Sequence, residues 1–255
     1  MPLLLNGTNI NNVLFNGNQL EQLQLNGTTV WTRNAPSVEI APGTVVFQSS
    51  TPGMSQFTIE DEETYNVRIV GAGGGGAAWL DRWGTYANGW RASVAAGGSG
   101  GYFYSSVLLT AGVYTVSVGK GGGGAYSMAN SDAAQRPSSP KAASAASGTD
   151  SYINGPSGMW TSGGGTGGNC GLGFANAGTG GSGLTSNGNN GGSYFTNTGV
   201  QSTSSYIDIY ATGGGAKYSS YGKGGNADSE YYLSGPSWLV RGTSGNNGFV
   251  EVIKA

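Results

Sequence analysis

Among side chains that could carry recognition chemistry, the densest group is Trp79, Asp81, Arg82, Trp83, Tyr86, Trp90 and Arg91, with three of the chain's six tryptophans inside twelve positions. Rigid aromatic rings beside an acid and two arginines offer large contact area at low entropic cost, which is how hot spots and paratopes are built. Further rings at Tyr126, Trp160, Tyr218, Tyr221, Tyr231, Tyr232 and Trp238 extend the candidate set. Such rings stack on sugars as readily as they pack on protein loops. In a chain whose interior is mostly glycine, they are equally suited to supplying the missing hydrophobic core.

Catalytic chemistry has little to work with. The chain of 255 residues has no histidine and a single cysteine, Cys170. That removes the commonest general base, the usual triad base and the usual zinc ligand, and it rules out an intrachain disulfide. Asp150, Asp208, Asp228 and Glu230 are available as carboxylates, but their spacing carries no signature of a sugar-cleaving pair. The run Glu60-Asp61-Glu62-Glu63 offers oxygen ligands, yet so tight a run reads as a solvated turn. Gly71-x-Gly73-x-x-Gly76 matches a dinucleotide fingerprint in form only. No helical period follows it, and no acid lies between Asp81 and Asp132 to meet a ribose. No enzyme activity, metal or cofactor is expected.

Composition narrows the partners. Charged residues make up 9% of the chain and the net charge is −2, too small and too mixed for nucleic acid or an anionic membrane. No apolar run is long enough to span a bilayer, and the N-terminus lacks the basic region of a signal peptide.

The elements that must position the candidate residues are read from the glycines. All but five of the 50 (Gly7, Gly17, Gly27, Gly43 and Gly53) follow Val70. Strand-like runs, Val67–Val70, Val113–Val118 and Ile207–Ala211, lead into glycine blocks, and Gly248–Ile253 closes the chain. Glycine-dense patches fall at 71–76, 97–101, 119–124, 163–183 (extending to 192) and 213–225, with insertions at 77–96, 125–162, 193–206 and 226–244. Extended glycine chains packed side by side as polyproline-II-type helices need glycine wherever chains crowd, and their amides can bond to neighbouring helices. The segment 131–149, small, polar and broken by proline, reads as a surface loop.

Upstream, Asn6-Gly7, Asn16-Gly17 and Asn26-Gly27 recur with a ten-residue period, the strongest short-range hairpin signal. Residues 1–34 therefore read as short hairpins that form an attachment or oligomerisation module. A linker with two prolines follows at 35–44, and a glycine-rich domain at 45–255.

Across 45–255 the ordered landmarks Ser55–Ile59, Tyr65–Gly76, Gly97–Tyr102, Leu109–Gly119 and Gly248–Ile253 resemble the glycine-rich domain of bacteriophage tail proteins. In outline the chain is also similar to the polyglycine-helix adhesins at the tips of long tail fibres of T-even-like phages. The Asn-Gly repeat is similar to short modules of phage tail proteins, though the N-terminus departs from the T-even-like pattern. The resemblance implies an all-β fold: an N-terminal hairpin repeat, then a β-sandwich-like frame with stacked polyglycine II helices and long variable loops. It further implies a non-catalytic virion protein at a tail fibre or tail tip that recognises a host surface protein or glycan through those loops. Residues 1–34 would join other tail subunits or further copies as a homotrimer. The rival expectation is a structural tail or head-decoration protein, whose aromatic insertions would be buried.

Overall fold

The computed structural model describes the strands within residues 3–32 and residues 40–83, 90–131, 142–198, 206–232 and 238–255; the side chains of 1–39, 82–90, 129–141, 195–208 and 230–238 lie outside the described residues. The chain separates into two compact units, Met1–Ile40 and Ala41–Ala255.

The first unit holds three antiparallel hairpins: β1 (Leu3–Leu5) with β2 (Thr8–Ile10), β3 (Leu14–Phe15) with β4 (Asn18–Gln19), and β5 (Gln22–Leu25) with β6 (Thr28–Thr32). Leu5 lies opposite Thr8, Phe15 opposite Asn18 and Leu25 opposite Thr28. Two residues separate the partners each time, the spacing of a tight hairpin. The Asn-Gly pairs themselves lie outside the described residues.

The second unit begins with β7 (Val45–Ser49), β8 (Gly53–Ile59), β9 (Glu63–Val70), β10 (Ala77–Trp83), β11 (Trp90–Ala95) and β12 (Tyr102–Leu109). It continues with β13 (Gly112–Val118), β14 (Ala125–Ser131), β15 (Ala143–Ser144), β16 (Ser151–Gly155), β17 (Gly158–Ser162) and β18 (Asn169–Gly171). The last strands are β19 (Phe174–Asn176), β20 (Ser193–Thr198), β21 (Tyr206–Ala211), β22 (Ala227–Tyr232), β23 (Trp238–Gly242) and β24 (Phe249–Lys254). The fold is all-β.

Two antiparallel sheets, β12-β9-β24-β7 and β17-β16-β13-β8, face each other as a sandwich. Alternation along the strands selects the buried face: Tyr65, Val67 and Ile69 on β9, Tyr114, Val116 and Val118 on β13, Val250 and Val252 on β24, with Phe57, Ile59, Phe103, Leu109 and Ile153 completing the core. Full burial of each aliphatic or phenyl side chain contributes roughly 1.5–3 kcal/mol. Phe47, Phe57 and Tyr114 stack at centroid distances of 5.2 and 5.3 Å. The Tyr114 hydroxyl donates to the Thr110 carbonyl at 3.0 Å, closing the β12–β13 corner.

From this frame the chain leaves and returns through extended runs at 71–76, 96–101, 119–124, 145–150, 163–168, 177–183, 187–192, 212–216, 222–226 and 243–248. Their hydrogen bonds repeat every three residues. Gly71 and Gly74 donate to Gly101 and Gly98, Ala72 and Gly75 to Thr149 and Ala146, and Gly73 and Gly76 to Asn246 and Thr243. The same run accepts from Gly122, Gly165 and Gly225 at the carbonyls of Gly73, Ala72 and Gly74. Run 71–76 is thus enclosed by six neighbours, donating to three antiparallel runs and accepting from three parallel ones. This is the three-residue turn and hexagonal crowding of polyglycine II.

Run 96–101 is enclosed in the same way. It donates to 187–192, 222–226 and 163–168, and accepts from 71–76, 177–183 and 212–216. Both enclosed runs are fully buried, so every amide needs a partner and almost no Cβ fits. At Gly73, Gly74, Gly97 and Gly100 a Cβ would fall on a neighbouring backbone carbonyl.

Outer runs obey a looser rule. Their outward amides are satisfied by side chains: Gly164 donates to Asp150 Oδ1 at 2.8 Å, Gly180 to Asn190 Oδ1 at 3.0 Å, Gly213 to Asn226 Oδ1 at 2.9 Å and Gly121 to Asn247 Oδ1 at 3.1 Å. This explains why run 145–150, Ala-Ala-Ser-Gly-Thr-Asp, joins the lattice with one glycine. The reading of 131–149 as a loop is corrected for its end: 143–144 is a strand and 145–149 is lattice.

Beyond the lattice, much of what reads as insertion is strand. The sheet β14-β10-β11-β20 is covered on one face by β21-β22-β23 and on the other by β15-β18-β19. Ala78, Leu80, Ala92 and Val94 pack against Ile209, Ala211 and Ala227, while Trp79 and Ala95 pack with Ala143 and Cys170.

Candidate binding surface

The lattice runs join frame strands to this second group of sheets, as β9 continues through 71–76 into β10 and β11 returns through 96–101 into β12. A six-residue run at about 3.1 Å per residue spans roughly 19 Å. The far sheets therefore sit at the end of a stiff hydrogen-bonded column.

On the far sheet, Tyr126, Ala78, Val94 and Tyr194 form one cross-strand row from edge to edge. Ala78 and Val94 are covered by β21-β22-β23, whereas Tyr126 is 69% exposed and Tyr194 52% exposed. Three strand spacings put the two rings about 14 Å apart, flanking the small sheet. On β21, Ile209 and Ala211 face inward, so Tyr210 between them faces out, 50% exposed.

Tyr210 is in register with Asp228, and Asp228 with Arg241. Arg241 Nη2 donates to Asp228 Oδ2 at 3.2 Å, while Asp228 Oδ1 is buried and has no hydrogen-bond partner among the described residues. The Arg241 side chain is 57% exposed, and its guanidinium carries further N–H donors beside the one on Asp228. Met128 and Leu239 add partly exposed apolar surface.

The chain belongs to a glycine-rich domain family. Its residues 49–251 match that family. Among curated proteins, none matches this chain.

The candidate residues fall into three groups. Tyr126 is displayed. The strands carrying Arg82, Trp83, Trp90, Tyr231, Tyr232 and Trp238 reach the far end, but those side chains, and Tyr86 altogether, lie outside the described residues. The remaining candidates are buried or half-buried. Trp79 is 0% exposed and Asp81 1%, because alternation on β10 turns both toward the face that β15-β18-β19 covers. Arg91, half-buried, lies opposite Asp81 in the β10–β11 register. Trp160 packs half-buried against the sandwich core.

Tyr218 and Tyr221 sit at the frame end of the lattice, in the turn between runs 212–216 and 222–226. Tyr221 stacks on Phe249 at 4.4 Å, and Tyr218 packs tilted against the same ring at 5.6 Å. Ser219 at φ 51° and Gly222 at φ 67° make that turn, a left-handed geometry that glycine takes at no steric cost. The Arg68 guanidinium lies 4.0 Å from the Tyr218 ring and pairs with Glu251. Burial opposes its charge, but the Tyr102 hydroxyl, Tyr218 and Glu251 hold its pKa above the ordinary arginine value.

The acid run behaves as a turn: Glu60, Asp61 and Glu62 are exposed, and Glu63 pairs with Lys254. Cys170 is buried, and burial pushes its thiol up to about 11. No metal-ligating cluster occurs among the described residues. Tyr210 and Arg241 were not among the candidates read from the sequence. The strand alternation Ile-Asp-Ile-Tyr-Ala is the signal that marks Tyr210 as outward-facing.

Proposed function

We propose that the protein is a non-catalytic adhesin of a bacteriophage tail fibre or tail tip, binding a host outer-surface protein or glycan through the far end of the glycine lattice. The carrying observation is the exposed pair Tyr210 and Arg241, in one cross-strand row with the buried Asp228 between them and flanked by Tyr126 and Tyr194, on sheets held away from the frame by the hydrogen-bonded column. Tyrosine and arginine are the side chains that most often anchor such contacts, and a rigid column lowers the ordering cost of binding. The resemblance of the ordered landmarks to phage tail proteins supports the virion setting, with residues 1–34 as the attachment module.

Labelled protein is applied to a panel of bacterial surfaces before and after removal of outer glycans and outer proteins. Saturable binding to particular strains, lost on one of the two treatments, is expected. Absence of binding to every strain by folded protein overturns the reading.

The second reading, a structural tail or head-decoration component, is favoured by one observation: Trp79, in the aromatic-dense stretch, is core. Tyr126→Ala with Tyr210→Ala separates the two. The adhesin loses surface binding with unchanged melting, whereas the structural component shows no binding to lose.

A further inference from the structure

Strand β8 ends the sheet β17-β16-β13-β8, and no described strand pairs with its outer side. Natural edge strands are blunted by lysine, proline, bulges or cover. The seven residues of β8, Gly-Met-Ser-Gln-Phe-Thr-Ile, contain no charge and no proline, and their register with β13 runs unbroken from Gly53 to Ile59. Ser55, on the alternation that carries Phe57 and Ile59 into the core, is itself exposed, so the sandwich opens at the Ser55 end of this edge. The outer face beside it is also free of charge. None of β8, β13, β16 and β17 carries an acidic or basic residue, and Met54, Val113 and Met159 are 71%, 54% and 57% exposed.

We infer that β8 is a self-association edge that pairs antiparallel with β8 of a second copy of this chain about a two-fold axis at Gln56. That register uses all seven residues: Gly53 faces Ile59, Met54 faces Thr58, Ser55 faces Phe57, and Gln56 faces its own mate. A second copy fits for reasons of charge. Every facing pair is neutral, and the acids Glu60, Asp61 and Glu62 follow Ile59, so the antiparallel arrangement sends the two acidic turns to opposite ends. Two four-stranded sheets then join into one continuous sheet across the pair.

The two-fold position makes the test specific, because Gln56 is exposed and its side chain donates to the Thr115 hydroxyl of its own sheet at 3.4 Å. The full chain is measured by size exclusion with light scattering over a concentration series, alone and as Gln56→Lys and Gln56→Glu, with melting followed in parallel. The wild type is expected at twice the 25.7 kDa chain mass. Each single variant is expected at the chain mass with unchanged melting, since like charges then face each other. An equimolar mixture of the two variants is expected to regain the doubled mass. A wild type that stays at the chain mass at every concentration overturns the inference. Variants that remain dimeric also overturn it, placing the contact elsewhere, and so does a mixture that stays monomeric.

Discussion

The amide of Gly74 donates to the carbonyl of Gly98 at 2.9 Å, joining the two fully enclosed glycine helices back to back. Each helix spends its amides on three neighbours and its carbonyls on three others, so the centre of the lattice has backbone where an ordinary core has side chains.

Gly74→Val is expected to destabilise the second unit by about 3 kcal/mol or more, because its Cβ would fall on the Thr166 carbonyl and the Gly167 amide. Thermal melting should drop by roughly 6–12 °C at a few degrees per kcal/mol. Gly123→Ala is the matched control: a Cβ there meets nothing within 4 Å, and melting should change by no more than about 2–3 °C. Equal melting of the two variants would count against the crowded lattice.

Trp79→Ala should cost about 3–5 kcal/mol through the cavity left between β10 and β15-β18-β19. Tyr126→Ala, at a 69% exposed position, should leave denaturant midpoints within about 0.5 kcal/mol. The pair of midpoints distinguishes core from display within one aromatic set.

Arg68→Met removes the partner of a Glu251 side chain that is 9% exposed, leaving Gln48 Nε2 as donor to Glu251 Oε1 at 3.3 Å. A loss of about 2–4 kcal/mol is expected, and Arg68→Met with Glu251→Met should recover much of it, because the cost lies in stranding one buried charge. Urea unfolding of the two single variants and the double variant checks this.

The Cys170 thiol, raised by burial to about 11 from 9.0, should be at least about a hundredfold slower than an unfolded cysteine to alkylate at pH 8. The raised value stabilises the fold while the thiol is protonated in both states. That contribution is therefore complete below pH 9 and fades as pH rises toward 11. Mass spectrometry after iodoacetamide treatment, with and without denaturant, measures the first effect. Cys170→Ala should flatten the alkaline decline.

The all-β class, the frame strands and the placement of Gly71–Gly76 and Gly97–Gly101 as crowded glycine helices were legible because their causes are local or compositional. Alternation marks a sheet face, Asn-Gly sets a two-residue turn, and only glycine tolerates enclosure on all sides. Run 145–150 was not legible, since an outer helix turns its side chains to solvent and needs no glycine signature. The fates of Trp79, Trp160, Tyr218 and Tyr221 were not legible either, because a ring's composition is the same whether a sheet later covers it or not.

Composition and local spacing set that close-packed glycine backbone would stand beside the side-chain cores, that no histidine chemistry exists, and that short hairpins precede the glycine-rich unit. Tertiary structure alone decided which runs lie at the centre of the lattice and which rings remain at the surface. Those outcomes depend on which neighbours each run meets across distant stretches of chain, from Gly73 to Asn246 in a single hydrogen bond, and no local pattern records that pairing.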